Sequence, residues 1–186
     1  KWIFLRTAAL IGSFVLAGAV ATRSGEAAIG AHQIAFQLFI FLALVLDSIA
    51  IAGQIIVGRE LGGGRPRRAY DASSRMIWLS VAAGAAFAVV MLSLAGVLPR
   101  IFTSDASVLD EAALLWPLFV LMQPLNGAVF ALDGILIGAS DGPFLAISMA
   151  LAFCACAAML LLTLAGDWGI RGVWAALVVL ILVRLT

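Results

Sequence analysis

Charge is scarce in this sequence. Asp, Glu, Lys and Arg make up 11% of its 186 residues, hydrophobic residues make up 65%, and mean hydropathy is +1.18. Soluble domains run at about 25% charged and about 45–50% apolar. A soluble globular domain is therefore excluded, and so is a disordered chain. A nucleic-acid partner is excluded as well, because 11 basic residues stand against 10 acidic ones and leave no basic face. Histidine occurs once, at His32, and the acids are dispersed, so no metal cluster is expected. The two cysteines, Cys154 and Cys156, cannot build a disulfide framework. Two positions apart on a helix, they point to different faces and read as small packing residues. What remains is a polytopic membrane protein.

Long hydrophobic runs are what the sequence has. A bilayer-spanning helix needs roughly 20 apolar residues. Charge-poor windows place six spans, at residues 2–22, 27–58, 76–98, 112–137, 142–166 and 172–186, the last one unfinished. Helices are expected because lipid-facing backbone must satisfy its own hydrogen bonds and no barrel-like alternation is present. The turns agree. Gly62-Gly63-Gly64-Arg65-Pro66 stops the second span, Pro99 closes the third, and Ser140-Asp141-Gly142-Pro143 separates the fourth from the fifth. The sequence opens at Lys1 without an initiator Met and stops at Thr186 inside an apolar run, so a piece of a longer chain is expected.

Basic residues near span ends set orientation. With the start of the first helix in the cytoplasm, Lys1, Arg6, Arg59, Arg65, Arg67, Arg68, Arg75 and Arg184 lie inside. Arg23, Arg100 and Arg171 then lie outside, a bias of eight to three. Arg6 and Arg23 are expected to snorkel from the ends of the first span. Arg59, Arg65, Arg67 and Arg68 form a cytoplasmic basic loop whose first meaning is topology, with anionic lipid contact second.

Ionisable groups inside spans carry the functional information, since each costs about 2.5–3.5 kcal/mol at the bilayer centre. Asp47 and Asp133 stand out, and neither has a cation within a turn along its own helix. Gln33, Gln37, Asp47 and Gln54 fall on one face of the second span. That stripe runs for about 31 Å. Gln123, Asn126, Asp133 and Ser140 do the same in the fourth. Such faces look into protein or water. Interhelical bonding by amides is one reading; a water-accessible cavity is favoured, because the stripes are long and each holds a carboxylate. Gln33, Gln37, Gln123 and Asn126 are then the cavity-lining candidates, and Asp47 and Asp133 the candidate proton-titrating or gating groups. Pro117 and Pro124 each remove a helix hydrogen bond and are candidate hinges, with a static kink as the alternative.

Other motifs carry no chemistry. Gly138-Ala139-Ser140-Asp141-Gly142 spells G-x-S-x-G, but a membrane helix precedes it and no histidine base is near. Gly62-Gly63-Gly64 has no following Gly-Lys-Ser/Thr, so no Walker lysine exists. Gly134 and Gly138 form a small-xxx-small step suited to close helix packing. No catalytic residue is expected and the protein is not read as an enzyme.

Four segments in order carry a resemblance. They are Ala31-His32-Gln33-Ile34, Val57-Gly58-Arg59-Glu60-Leu61-Gly62, Ile101-Phe102-Thr103-Ser104-Asp105 and Leu132-Asp133-Gly134-Ile135-Leu136-Ile137-Gly138-Ala139. Together they resemble the second half of the MATE (multidrug and toxic compound extrusion) family, and the last looks most like its DinF-like branch. The resemblance covers essentially the whole chain. It implies one six-helix lobe of a twelve-helix transporter in a bacterial inner (plasma) membrane. It implies an N-terminal lobe as partner, and lipophilic organic cations leaving in exchange for protons or sodium ions. One branch carries cation-binding acids in this lobe, but Leu10 and Asn126 stand at those positions here. The coupling site is therefore expected in the other lobe, with no cofactor. A flippase for lipid-linked sugars would need cations facing its cavity, and no Lys or Arg lies in a span core. A non-transporting membrane scaffold is the remaining alternative.

Overall fold

The computed structural model describes residues 1–185. Among the described residues seven helices follow one another: α1 (Trp2–Arg23), α2 (Glu26–Gly62), α3 (Pro66–Ser93), α4 (Leu98–Phe102), α5 (Ala106–Gly138), α6 (Gly142–Ala165) and α7 (Gly169–Val183). Five of them, α1, α2, α3, α5 and α6, are long and apolar enough to cross a membrane, and α7 is a shorter apolar helix. The sixth expected span runs to Thr186, which lies outside the described residues.

The helices overrun the charge-free windows. α2 has 37 residues, about 55 Å at 1.5 Å each, well beyond a hydrocarbon core of about 30 Å. Its last turns therefore carry Arg59 and Glu60 out to the interface. α3 starts at Pro66, ten residues before the expected span, because proline at the first helical position needs no N–H partner. It also ends at Ser93 rather than at Leu98. Gly96 is a poor helix former, and Pro99 opens the short α4 instead of closing α3. The Trp116 indole donates to the Met91 carbonyl at 2.9 Å, which satisfies one of the carbonyls that the end of α3 leaves open.

α5 is the central element. It packs on α2, α3 and α7, while α1 packs on α6, and α6 on α7. Glycines allow these crossings. A Cβ at Gly134 would lie 2.3 Å from the Ala50 carbonyl, and one at Gly138 2.6 Å from that of Gln54. A Cβ at Gly84 would sit 2.4 Å from the Gln123 carbonyl. Gly134 and Gly138 thus serve the α2–α5 crossing. α5 runs through Pro117 and Pro124 as one helix, with the Gln123 side-chain amide donating to the Phe119 carbonyl at 2.8 Å just before the second proline.

The turns are built by side chains. The Asp105 carboxylate caps α5, accepting from the Ser107 N–H at 2.9 Å and its hydroxyl at 2.7 Å. These bonds hold its carboxyl below the usual carboxylate range. Asp141 caps α6 by accepting from the Phe144 N–H at 3.3 Å. Ser140 is exposed with φ at 63°, so the G-x-S-x-G stretch is a tight turn between α5 and α6.

Candidate functional site

The two polar stripes point in opposite directions. On α2, Gln33, Gln37 and Asp47 are exposed and Gln54 is half-buried. Between them Ile40, Leu44 and Ile51 are 39%, 65% and 50% exposed. This face is turned away from the rest of the chain. Asp47 joins no ion pair among the described residues.

On α5 the stripe faces inward. Gln123, Asn126 and Asp133 are 0%, 1% and 7% exposed, and only Ser140 reaches the surface. Gln123 and Asn126 are buried inside the chain, so they do not share an open face with Gln33 and Gln37. The Gln123 Oε1, Asn126 Oδ1 and Ser80 Oγ atoms are all buried without a hydrogen-bond partner among the described residues. Sequence periodicity put each stripe on one face; it did not tell an interior face from an outward one. Leu10, half-buried on α1, offers no polar atom.

Asp133 is the centre of an ion cluster. Its Oδ2 accepts from the Arg6 Nη2 of α1 and from the Arg184 Nη2 just past α7. The side chains of Arg6, Asp133 and Arg184 are 17%, 10% and 6% exposed. Arg6 therefore does not snorkel outward as expected, because a carboxylate lies within its reach on the inner side. The pairing was missed because the partners are 127 and 51 residues from Asp133. One signal was available: with alternating helices, the start of α1 and the ends of α5 and α7 fall at one end of the bundle. Beside the cluster lies a cavity of about 220 Å³, bounded by Arg6, Asp133, Ser148 and Arg184 and by apolar side chains including Phe144 and Leu145.

A second acid was also missed. Glu60, 7% exposed at the end of α2, accepts from Arg65 Nε at 2.7 Å and from Arg59 Nη2 at 3.5 Å. Two of the four loop arginines thus close the α2–α3 turn. Arg67 and Arg68 remain exposed.

Comparison with known proteins gives these features a family. The MatE family model matches residues 3–163. Protein DETOXIFICATION 44, chloroplastic, of Arabidopsis thaliana is 31% identical over 97% of this chain and 34% of that protein. Multidrug and toxin extrusion protein 1 of Oryctolagus cuniculus is 26% identical over 91% of this chain and 29% of that protein. The chain spans about a third of the length of these curated relatives. Among solved structures, a MATE protein in complex with MaD3S superposes with a TM-score of 0.91 at 15% identity, over 97% of this chain and 41% of that one. That likeness shows a shared fold. The chain is a multi-pass membrane protein, and it belongs to the MatE family.

Proposed function

We propose that the chain forms one lobe of a secondary efflux transporter. It works with a second six-helix lobe and exports lipophilic or cationic small molecules in exchange for protons or sodium ions. The observation that carries this reading is the outward face of α2. A carboxylate and two amides spread along a membrane-crossing helix are costly against lipid. On this face they have no partner among the described residues, so the face is suited to water, substrate and an opposing lobe. Exposed Ile40, Leu44 and Ile51 between the polar groups supply the apolar wall that small-molecule sites combine with a few convergent polar groups. Asp47 supplies the charge that favours a cation.

The close glycine contacts of α5 with α2 and α3 favour a lobe that moves as one body, as alternating access requires. Leu10 and Asn126 carry no charge, which favours coupling through the other lobe. Membership of the DinF-like branch, a bacterial inner membrane and a cytoplasmic start belong to the same proposal. The relatives' names, Protein DETOXIFICATION and multidrug and toxin extrusion protein, point the same way.

The test is efflux of a cationic dye from everted vesicles holding the full-length protein. Asp47→Asn should lower transport about tenfold or more, the size of one lost charge interaction, at unchanged protein level. Transport equal to wild type would remove Asp47 from the cavity.

A further inference from the structure

We propose that the cavity beside Arg6, Asp133 and Arg184 binds a phosphate-type oxyanion, a site separate from the α2 face. Charge arithmetic is the first reason. Two guanidinium groups meet one carboxylate oxygen, and among the described residues no other acid lines the cavity. One positive charge is in excess. The negative end of the α7 dipole offsets roughly half a charge, and the remainder sits on side chains that are 17% and 6% exposed.

The second reason is an unmet donor. Arg6 Nε is buried and has no hydrogen-bond partner among the described residues. A guanidinium offers five N–H donors in a planar fork, the geometry that matches a phosphate group.

Size and place narrow the ligand. The cavity holds about 220 Å³, below the roughly 300–1,000 Å³ of sites for drug-sized molecules. It suits a headgroup rather than a transported drug. It lies where α1 begins and α5 and α7 end, at the end of the bundle. Its wall beyond the charged groups is apolar apart from Ser148, and the neighbouring Phe144 and Ile147 of α6 are 51% and 59% exposed. Basic pockets between membrane helices at this level commonly take lipid phosphates. The shared chemistry is a phosphate oxyanion, supplied by a lipid headgroup or by free phosphate.

The experiment is thermal unfolding of the full-length protein in detergent. It is titrated with short-chain phosphatidic acid, with inorganic phosphate, and with short-chain phosphatidylcholine, which has the same tails and no net charge. A ligand that binds the folded state raises Tm in a saturable way. Phosphatidic acid should do so, and phosphatidylcholine should not. A matching response to inorganic phosphate assigns the site to free phosphate; a response to phosphatidic acid alone assigns it to lipid. Arg6→Gln and Arg184→Gln remove the excess charge and should weaken apparent affinity about tenfold or more, the loss of one charge-assisted bond. Asp133→Asn adds a positive charge and should strengthen it, although a purely structural cluster predicts no gain there. Should the glutamine variants fail to fold, Arg184→Lys keeps the charge, loses the fork and should still bind more weakly. The proposal is overturned by no anion response in the wild type, by equal responses to the two lipids, or by arginine variants that respond like wild type.

Discussion

Gly127 of α5 meets Ser80 of α3 backbone to backbone: a Cβ on Gly127 would lie 2.1 Å from the Ser80 carbonyl oxygen. No real Cβ tolerates that distance, and neither helix backbone can swing away as a side chain would. Gly127→Ala should therefore part the α3–α5 crossing and lower stability by about 1–3 kcal/mol, the usual range for overpacking. Gly62→Ala is the matched control. A Cβ there meets nothing within 4 Å, so that variant should unfold within a degree or two of the wild type. Thermal unfolding in detergent measures both, and equal Tm values for the two variants would refute the close crossing.

The Arg6–Asp133–Arg184 cluster makes an ordered prediction about stability. Asp133→Ala leaves two largely buried guanidinium groups without a counter-charge. Breaking a buried pair from one side costs about 3–5 kcal/mol. Arg184→Gln leaves a one-to-one pair between Arg6 and Asp133 and should cost less. Chemical or thermal unfolding of the two variants should rank Asp133→Ala as the less stable. The opposite ranking would mean that Arg184 acts through packing and not through Asp133.

The contrast between α2 and α5 shows how far a sequence of this kind can be read. A 3.6-residue period places Gln33, Gln37, Asp47 and Gln54 on one face because rotation per residue is a local property. The same rule works for Gln123, Asn126 and Asp133. Which way a face looks depends on the neighbouring helices, and both stripes cross apolar helices whose hydrophobic residues go all round. The α5 face is inward because α7 packs against α5 and Arg6 and Arg184 reach Asp133 there, while Gly127, Gly134 and Gly138 bring α3 and α2 close alongside. The small-residue step was legible; the partners it meets were not. Arg6 and Arg184 were read as topology markers for a related reason. Their carboxylate is on another helix, and nothing within a turn of Asp133 announces them. The end of α3 was misplaced because a hydropathy window does not register Gly96 or a cap supplied by Trp116.

Trp116 supplies a third prediction. Its indole N–H donates to the Met91 carbonyl in the last turn of α3, and its ring lies 5.3 Å from that of Phe119. Trp116→Phe keeps an aromatic ring and deletes the donor. A buried carbonyl left without its partner costs about 1–3 kcal/mol. The Tm should fall accordingly. Amide exchange should rise first in residues 90–98, where α3 hands over to α4, while exchange in α6 stays unchanged. Uniform loss of protection along the chain would mean that Trp116 serves the core in general rather than the end of α3.

The last prediction separates the outward stripe from the inward one. Cys154 is exposed and Cys156 buried, so the background is the full-length protein with Cys154→Ala and Cys156→Ala. Gln37→Cys should react with a membrane-impermeant thiol reagent, because Gln37 lies on the exposed face of α2. Asn126→Cys should not, because Asn126 is 1% exposed. A cationic substrate should slow the reaction at position 37 if that face lines the transport cavity. No reaction at position 37 would place the stripe against a dry interface, which is the scaffold reading. Reaction at position 126 would show that the helices packed over this face part in the membrane, and would return the buried oxygens of Gln123 and Asn126 to a wet cavity.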